Sequence, residues 1–381
     1  VKMSKNTSSG ATSVGIIGCG MVSTAYLKNS RNFSAFDIIA VADQRADAAQ
    51  DRSNEFGINK ACSVDEILDD PAIEMIINLT PHSAHGPVAL SVLEAEKHVY
   101  NEKPMAVHLE EGQSMLSLAN KKGLYIGCGP DTFFGGAWQT ARQFIDAGNI
   151  GQPVAASACL MAFRQPQIAN TTAKSTEYVN FYRTNFYDFG VTWSFDRGPY
   201  YLNALIHLLG PIRRVTASTR NVWGEKREFK DVVKTPTHFA GIMDFHSGVV
   251  GTILVSSDVH STNLPHIEIY GTEGSLRCID PNNFGGPIYF RPSSKNEFVE
   301  VECNYSYNQN SRGVGVADMA KSVRNQRPIR ASGEMGYHVI EVIHALHRAS
   351  AEGQHIELSS TCLQPQPLPL GLSDWEIDDQ G

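Results

Sequence analysis

Short apolar runs alternate with longer amphipathic stretches through the first third of the chain. Val14 to Ile17, Asp37 to Ala42, Glu74 to Leu79, His98 to Tyr100 and Leu124 to Gly127 read as buried strands. Between them, Met21 to Asn29, Ala46 to Phe56, Val64 to Leu68, Pro81 to Lys97 and Leu109 to Lys122 carry the spacing of helices with one apolar face. A strand that is apolar on both faces, followed each time by a helix, predicts an α/β fold: a doubly wound parallel sheet.

From about residue 131 the period changes. A helix, Gln139 to Ala147, precedes alternating, β-branched strands at Val154 to Phe163, Ile212 to Val222, His238 to His246, Gly248 to Ser257 and Ile267 to Tyr270. Consecutive strands joined by turns such as Gly271-Thr272-Glu273-Gly274 predict an open, mainly antiparallel sheet in an α+β domain. A helix from Pro199 to Leu209 interrupts it, and two late helices, Val314 to Asn325 and Gly336 to Glu352, could pack back onto the first domain. The expected division is a lead-in (1–13), a dinucleotide-binding domain (14–130), a substrate and oligomerisation domain (131–362) and a Pro-rich, then acidic tail (363–381) read as an extended or mobile arm.

Composition narrows the function. A length of 381 residues with 42% apolar content is ample for two cores, and the net charge of -8 argues against a nucleic-acid or anionic-membrane partner. No apolar window reaches the ~18 residues of a membrane helix. The first residues lack the apolar core of a signal peptide, and the seven cysteines are scattered without any C-x-x-C, so a cytoplasmic protein with reduced thiols is expected. His338, His344 and His347 share the last helix without an acid or cysteine beside them, and no metal site is read there.

Candidate chemistry begins at Val14 to Thr24, VGIIGCGMVST. Gly18 allows a tight strand-to-helix turn, Gly20 lets backbone approach a pyrophosphate, and the helix start at Met21 and Val22 offers unpaired N–H groups and the positive end of a dipole. The third fingerprint position is Ser23, small enough for close packing. Asp43 ends the second strand, 23 residues after Gly20, where a carboxylate accepts from the adenosine ribose. That acid favours NAD over NADP, a preference Arg45 could soften. Capping of the next helix is the plainer role for Asp43.

Ligands of such sheets lie beyond the carboxyl ends of the strands, so GCGM, ADQ, LTPHSAH, NEKP and CGPDT form one rim. This makes Thr80, Pro81, His85, Glu102 and Lys103 cofactor-contact candidates. Lys103 would point at the nicotinamide end, and Pro104 could hold the preceding peptide cis. Asp196, Tyr200, Asn203 and His207, at i, i+4, i+7 and i+11, form a polar stripe on an otherwise apolar helix that Pro199 opens and Gly210-Pro211 closes. Water is one partner for that stripe and a polyhydroxylated substrate the other.

These residues together resemble the Gfo/Idh/MocA family: GIIGCGMVS, NLTPHSAH, NEKP, the D-x-G-x-Y-x-x-N helix ending in LLGPI, and IEIYGTEGSL, over roughly residues 14 to 350. The resemblance implies a Rossmann domain joined to a domain with a large open antiparallel sheet, redox chemistry on sugars or cyclitols with NAD(P), and a homodimer or homotetramer formed through that sheet. It places the catalytic lysine on Lys103, a substrate-binding aspartate on Asp196, the usual catalytic histidine on Tyr200 and a second helix acid on Asn203. The last two are departures, as are Val191, Thr192 and Trp193 where glycines are common, which suggest a bulkier entrance. A free phenol, with a pKa of about 10, is a weak base, and a cation within ~4 to 6 Å favours its phenolate. Lys103 is the cation the rim offers, although the two could exchange roles, and His85 or His207 would be the reserve proton carriers. Within the same resemblance, an NAD-using glycosidase and a non-catalytic NAD sensor are the alternatives to a dehydrogenase.

Overall fold

A computed structural model describes residues 10–163, 192–226, 230 and 233–378. The first sheet has six parallel strands in the order β3-β2-β1-β4-β5-β6. These are β1 (Thr12–Ile17), β2 (Phe36–Ala42), β3 (Lys60–Cys62), β4 (Met75–Asn78), β5 (His98–Asn101) and β6 (Ile126–Cys128). This is the Rossmann order, with its switch point between β1 and β4. The helices between them are α1 (Ser23–Ser30), α2 (Ala46–Phe56), α3 (Val64–Asp69), α4 (His85–Glu94) and α5 (Leu109–Lys122). Two expectations shift at their edges. The helix after Pro81 starts as a 3-10 turn, His82–Ala84, and β3 was not foreseen because its three residues, KAC, are all half-buried and carry no apolar pattern.

The second domain opens with α6 (Gly136–Asp146) and β7 (Pro153–Met161). After the undescribed stretch come α7 (Thr192–Asp196), α8 (Gly198–Leu209), β8 (Ile212–Arg220), β9 (His238–Phe245), β10 (Val250–Ser256), β11 (Ile267–Gly271), β12 (Gly274–Cys278), β13 (Ile288–Pro292) and β14 (Val299–Val301). Then follow α9 (Val314–Asn325), α10 (Gly333–Glu352) and β15 (Ile356–Glu357). Nine strands form one sheet in the order β14-β13-β12-β11-β7-β10-β9-β8-β15, antiparallel except where β7 and β10 run parallel.

Helices cover one face of this sheet. Phe239, Met243, Phe245, Ile253, Val255, Ile267 and Ile269 point to that side and are buried. The strand period of two sends their neighbours the other way, leaving Ile242 and Val250 42% and 48% exposed. Read from sequence, Ile253 and Val255 would share that open face with Ile242 and Val250. The pleat reverses the reading for the first two.

α8 is buried along its whole length, packed among α6, α10 and β7. α9 and α10 lean on the Rossmann sheet: Gly127 of β6 sits where a Cβ would lie 2.8 Å from Met319 Sδ, and Gly333 stands equally close to Ile126. The tail is extended and docked. Leu368 N donates to Gln139 Oε1 at 2.7 Å, Arg330 pairs with Asp378 at 2.9 Å, and the Trp375 ring meets Phe33 edge-on at 5.2 Å. Tyr307 Oη also donates to the Glu376 carbonyl. All seven cysteines are unpaired, and burial pushes the Cys19, Cys278 and Cys362 thiols up to about 12.

Candidate active site

The turn after β1 is built around two different glycines. Gly18 has φ +104°, and a Cβ there would sit 2.5 Å from the Leu79 carbonyl carbon, so the turn is pressed against the end of β4. A Cβ on Gly20 would meet nothing, and Met21 and Val22 beside it are 71% and 46% exposed. The start of α1 has no side-chain cap. An open glycine beneath an uncapped helix start fits a pyrophosphate that needs backbone N–H groups. Ser23 is buried and its hydroxyl donates to Gly20 O at 2.6 Å, which closes the turn. Asp43 ties the turn to β2, accepting from Cys19 N at 2.7 Å and Arg45 N at 2.9 Å.

The rim loops after β4 and β5 are locked together by buried amides and an imidazole. Asn78 donates to Asn101 at 2.6 Å, and the Thr80 hydroxyl donates to Asn78 at 2.7 Å. His85 is buried, with Nε2 2.8 Å from Thr80 O and Nδ1 2.6 Å from Pro104 O. Burial lowers its pKa, partly offset by those carbonyls. Glu102 is turned inward: one oxygen accepts from Tyr26 Oη at 2.9 Å and the other from Lys103 N at 2.9 Å. Glu102 and His85, read from sequence as cofactor contacts, thus brace the turn that presents Lys103. The Lys103-Pro104 peptide is cis.

Lys103 meets the second domain here. Its ammonium donates to Asp196 Oδ1 at 2.9 Å and Asp196 O at 2.6 Å, and lies 5.4 Å from the centroid of the Tyr200 ring. Burial alone would discharge Lys103, but Asp196, Tyr200 and Glu102 outweigh it and hold its pKa above the usual value. Burial likewise opposes charge on Asp196, and Lys103 reverses the balance, leaving that carboxyl below its ordinary range. The pair persists as ammonium and carboxylate.

The rest of the stripe lies elsewhere. Asn203 is buried and donates to Pro130 O at 3.2 Å, bracing the turn after β6. His207 is fully buried between the Phe133 ring and Gln139, and burial, with Arg142 nearby, lowers its pKa to about 3. Both support α8 from behind, because successive turns of a fully buried helix carry the stripe away from the cleft. Asp196 itself ends α7, and Arg197 separates it from α8. Trp193, expected at the entrance, is buried, and Val191 lies outside the described residues.

Sequence reasoning missed several members of this cluster. Arg312, in the loop before α9, donates from Nη2 to Tyr200 Oη at 2.8 Å and to Asn282 Oδ1 at 3.0 Å. Arg197 pairs with Asp280 at 3.2 Å. His82 sits close enough to Lys103 and Asp196 to feel both, and burial together with Lys103 lowers it to about 3. His82, and Asp131 behind Arg312, lay within segments already assigned to the rim. The α10 histidines are structural: His338 Nε2 accepts from Ile212 N at 3.1 Å, His344 bonds Val107 O at 2.9 Å, and His347 packs on Phe239.

A glycine cradle at the switch point of a Rossmann sheet, with a half-buried rim lysine paired to an aspartate beside a buried tyrosine of a second domain, defines a two-domain nucleotide-dependent oxidoreductase. Residues 12–129 match the oxidoreductase family with NAD-binding Rossmann fold, and residues 138–277 match the GFO/IDH/MocA C-terminal domain. The chain belongs to the Gfo/Idh/MocA family of NAD-binding oxidoreductases. Scyllo-inositol 2-dehydrogenase (NAD(+)) of Bacillus subtilis strain 168 is 27% identical over 264 residues, covering 68% of this chain and 72% of that protein. The scyllo-inositol 2-dehydrogenase (NADP(+)) IolW of the same organism is 24% identical over 324 residues, covering 77% and 82%. Levoglucosan dehydrogenase in complex with NADH shares the fold with a TM-score of 0.77 at 19% identity, over 92% of this chain and all of that one.

Proposed function

We propose that the protein is an NAD-dependent dehydrogenase or reductase acting at a secondary alcohol of a sugar, cyclitol or glycoside. Tyr200 and Lys103 are its proton-handling pair, and Asp196 holds a neighbouring hydroxyl. The observation that carries this reading is the half-buried Lys103–Asp196 ion pair beside Tyr200, on the rim that the phosphate turn also faces. Gly18, Gly20, Met21, Val22 and Asp43 would hold the dinucleotide, with Thr80 and Pro81 beside it at the end of β4. When bound, NAD supplies the hydride acceptor. The Tyr200 phenolate oxygen takes the substrate hydroxyl proton and becomes the phenol, Lys103 polarises the substrate oxygen, and Asp196 accepts from an adjacent hydroxyl. Relatives that act on scyllo-inositol support a polyol as the substrate class.

The test is NADH production from a panel of scyllo-inositol, myo-inositol, levoglucosan and common aldoses. NADH formed with at least one of them is expected. Sugar released from a glycoside without net NADH would replace this reading by the glycosidase one, and NAD binding with neither outcome by the sensor.

The same proposal includes a homodimer or homotetramer. The uncovered face of the second sheet presents Val154, Ile242 and Val250, each more than 40% exposed, on neighbouring strands, a surface that favours burial against a second copy. Sedimentation showing only a monomer-sized particle at micromolar concentration would remove the assembly.

A further inference from the structure

Three cations crowd the Tyr200 ring. Lys103 Nζ lies 5.4 Å from its centroid, the Arg312 guanidinium carbon 5.5 Å and the Arg197 carbon 5.9 Å. They are not equivalent. Lys103 is committed to Asp196 and Arg197 to Asp280, whereas Arg312 places a donor on the phenol oxygen itself, at 2.8 Å. We propose that Arg312, clamped by Asn282 and Asp131, is the positioning residue that keeps the Tyr200 oxygen ready to accept the substrate proton.

The chemistry follows from what a guanidinium cannot do. It has only donors and does not give up a proton, so the Tyr200 oxygen always accepts from Arg312. The phenol's own proton must then leave and return on another side of that oxygen. In the phenolate the contact becomes a charge-assisted bond, roughly twice as strong as a neutral one, so Arg312 favours the deprotonated state. In the transfer the substrate O–H bond breaks, an O–H bond forms at Tyr200, and Arg312 neither gains nor loses a proton.

The arginine is held from two directions. Nη2 also bonds Asn282 Oδ1, and Nη1 stands 3.8 Å from Asp131 Oδ1. The other oxygen of Asp131 accepts from Gly313 N at 2.8 Å and Gly315 N at 3.2 Å, so one fully buried carboxylate both attracts the charge and fixes the loop that carries it. Gly313 has φ +104°, a conformation suited to glycine. The charged groups that face Tyr200 or back its cations are Lys103 and Glu102 after β5, Asp196 and Arg197 between α7 and α8, Asp131 after β6, Asp280 after β12 and Arg312 before α9. His82, above Lys103, is the neighbouring imidazole.

This inference rests on Tyr200 being the proton acceptor, and its test reads Tyr200 without substrate. Tyrosinate absorbance is titrated in the protein and in Tyr200→Phe, and the difference isolates Tyr200 from the other tyrosines. In Arg312→Gln, paired with its own Tyr200→Phe double, that difference should appear about one to two pH units higher, the size of effect an adjacent charge exerts. Arg312→Lys should restore most of the shift, and NADH fluorescence confirms folding. A difference at the same pH with and without Arg312 overturns the proposal. The function itself is judged separately, by turnover of Tyr200→Phe. Should Arg312→Gln fail to fold, Asn282→Ala loosens one arm of the clamp; a smaller shift in the same direction is expected, and none at all overturns the proposal.

Discussion

The turn after β1 and the cluster around Tyr200 are built on opposite plans. At the turn, backbone is left bare: Gly20 has open space above it, and Met21 and Val22 stand in solvent. Around Tyr200 the charges are paired within the protein, Lys103 with Asp196, Arg197 with Asp280, and Arg312 with Asp131. The first leaves its backbone groups open to a ligand. The second is electrostatically organised before anything binds, the arrangement that needs least rearrangement as charge develops in a reaction. On the proposed function, affinity and chemistry are thereby separated in space, and mutations at the turn and at the cluster should move different quantities.

The sharpest separation is expected at the cluster. Tyr200→Phe and Lys103→Met should each lower kcat by roughly 10² to 10⁴, with the double mutant little worse than the poorer single, because the two act as a unit. NADH affinity, measured by fluorescence titration, should hardly change in Tyr200→Phe. Near-native turnover in that variant would break the assignment. Neither reserve histidine could take over easily, since both His85 nitrogens face carbonyl oxygens and His207 is sealed in the core.

The two plans also differ in how far sequence reveals them. Gly18, Gly20 and Asp43 belong to one strand-turn-helix-strand unit, where local spacing reports the geometry of the turn directly. Lys103 and Asp196 stand where sequence pattern is legible, one two residues beyond a strand and the other just before a helix that Pro199 opens and Gly210 closes. Arg312 does not: it lies 112 positions from Tyr200 in an unpatterned loop, NQNSRG, and only folding brings it there. Asn203 and His207 show the converse, since helical spacing gives a face and not its depth, and both lie buried behind Tyr200 on the same helix. Elements too short for an apolar pattern were missed as well, as with β14, a three-residue edge strand, VEV, with one charge at its centre, and with the docked tail, whose prolines hide its anchors at Leu368 and Trp375.

Acid should next distinguish the fold from both sites. Burial, the main cause, lowers His82 and His207 to about 3 and His338 and His347 to about 4, against about 6.5 in an unfolded chain. The unfolded state binds more protons in that interval, so the stability these neutral histidines contribute is complete above pH ~6.5 and is lost as pH falls below it. At pH ~5.5 the loss is roughly 1.4 kcal/mol for each, on the order of 5 in sum. Asp131, raised by burial, acts in the opposite sense and offsets part of it. Tm should therefore fall by several degrees between pH 7.5 and 5.5 while NADH affinity stays level. A flat Tm would mean these rings are already charged in the folded protein.

The two glycines test the turn itself. Gly18→Ala forces a Cβ against the Leu79 carbonyl in a positive-φ conformation, a cost of roughly 1 to 3 kcal/mol or more that should appear as a lower Tm. Gly20→Ala should melt like the parent and lose NADH affinity instead. If the two variants behave alike, the turn is a structural device and not a cradle.

The smallest effect concerns which dinucleotide the cradle prefers. Asp43 holds its carboxylate at the turn by accepting from Cys19 N and Arg45 N, so it already has two partners, and a 2'-phosphate would bring negative charge against it. Arg45 follows two positions later, and Arg52 reaches Gly20 O at 3.4 Å, so cations are also at hand. Their presence limits how much the acid can exclude. Asp43→Ala removes the repulsion but also releases the turn, so NAD affinity should fall while NADP affinity rises, narrowing the preference by about tenfold, or roughly 1.4 kcal/mol. The measurement is the ratio of kcat/KM for the two cofactors in parent and variant. A parent that already uses NADP as well as NAD would show that Asp43 serves the turn alone, and that Arg45 and Arg52 set the cofactor charge the site accepts.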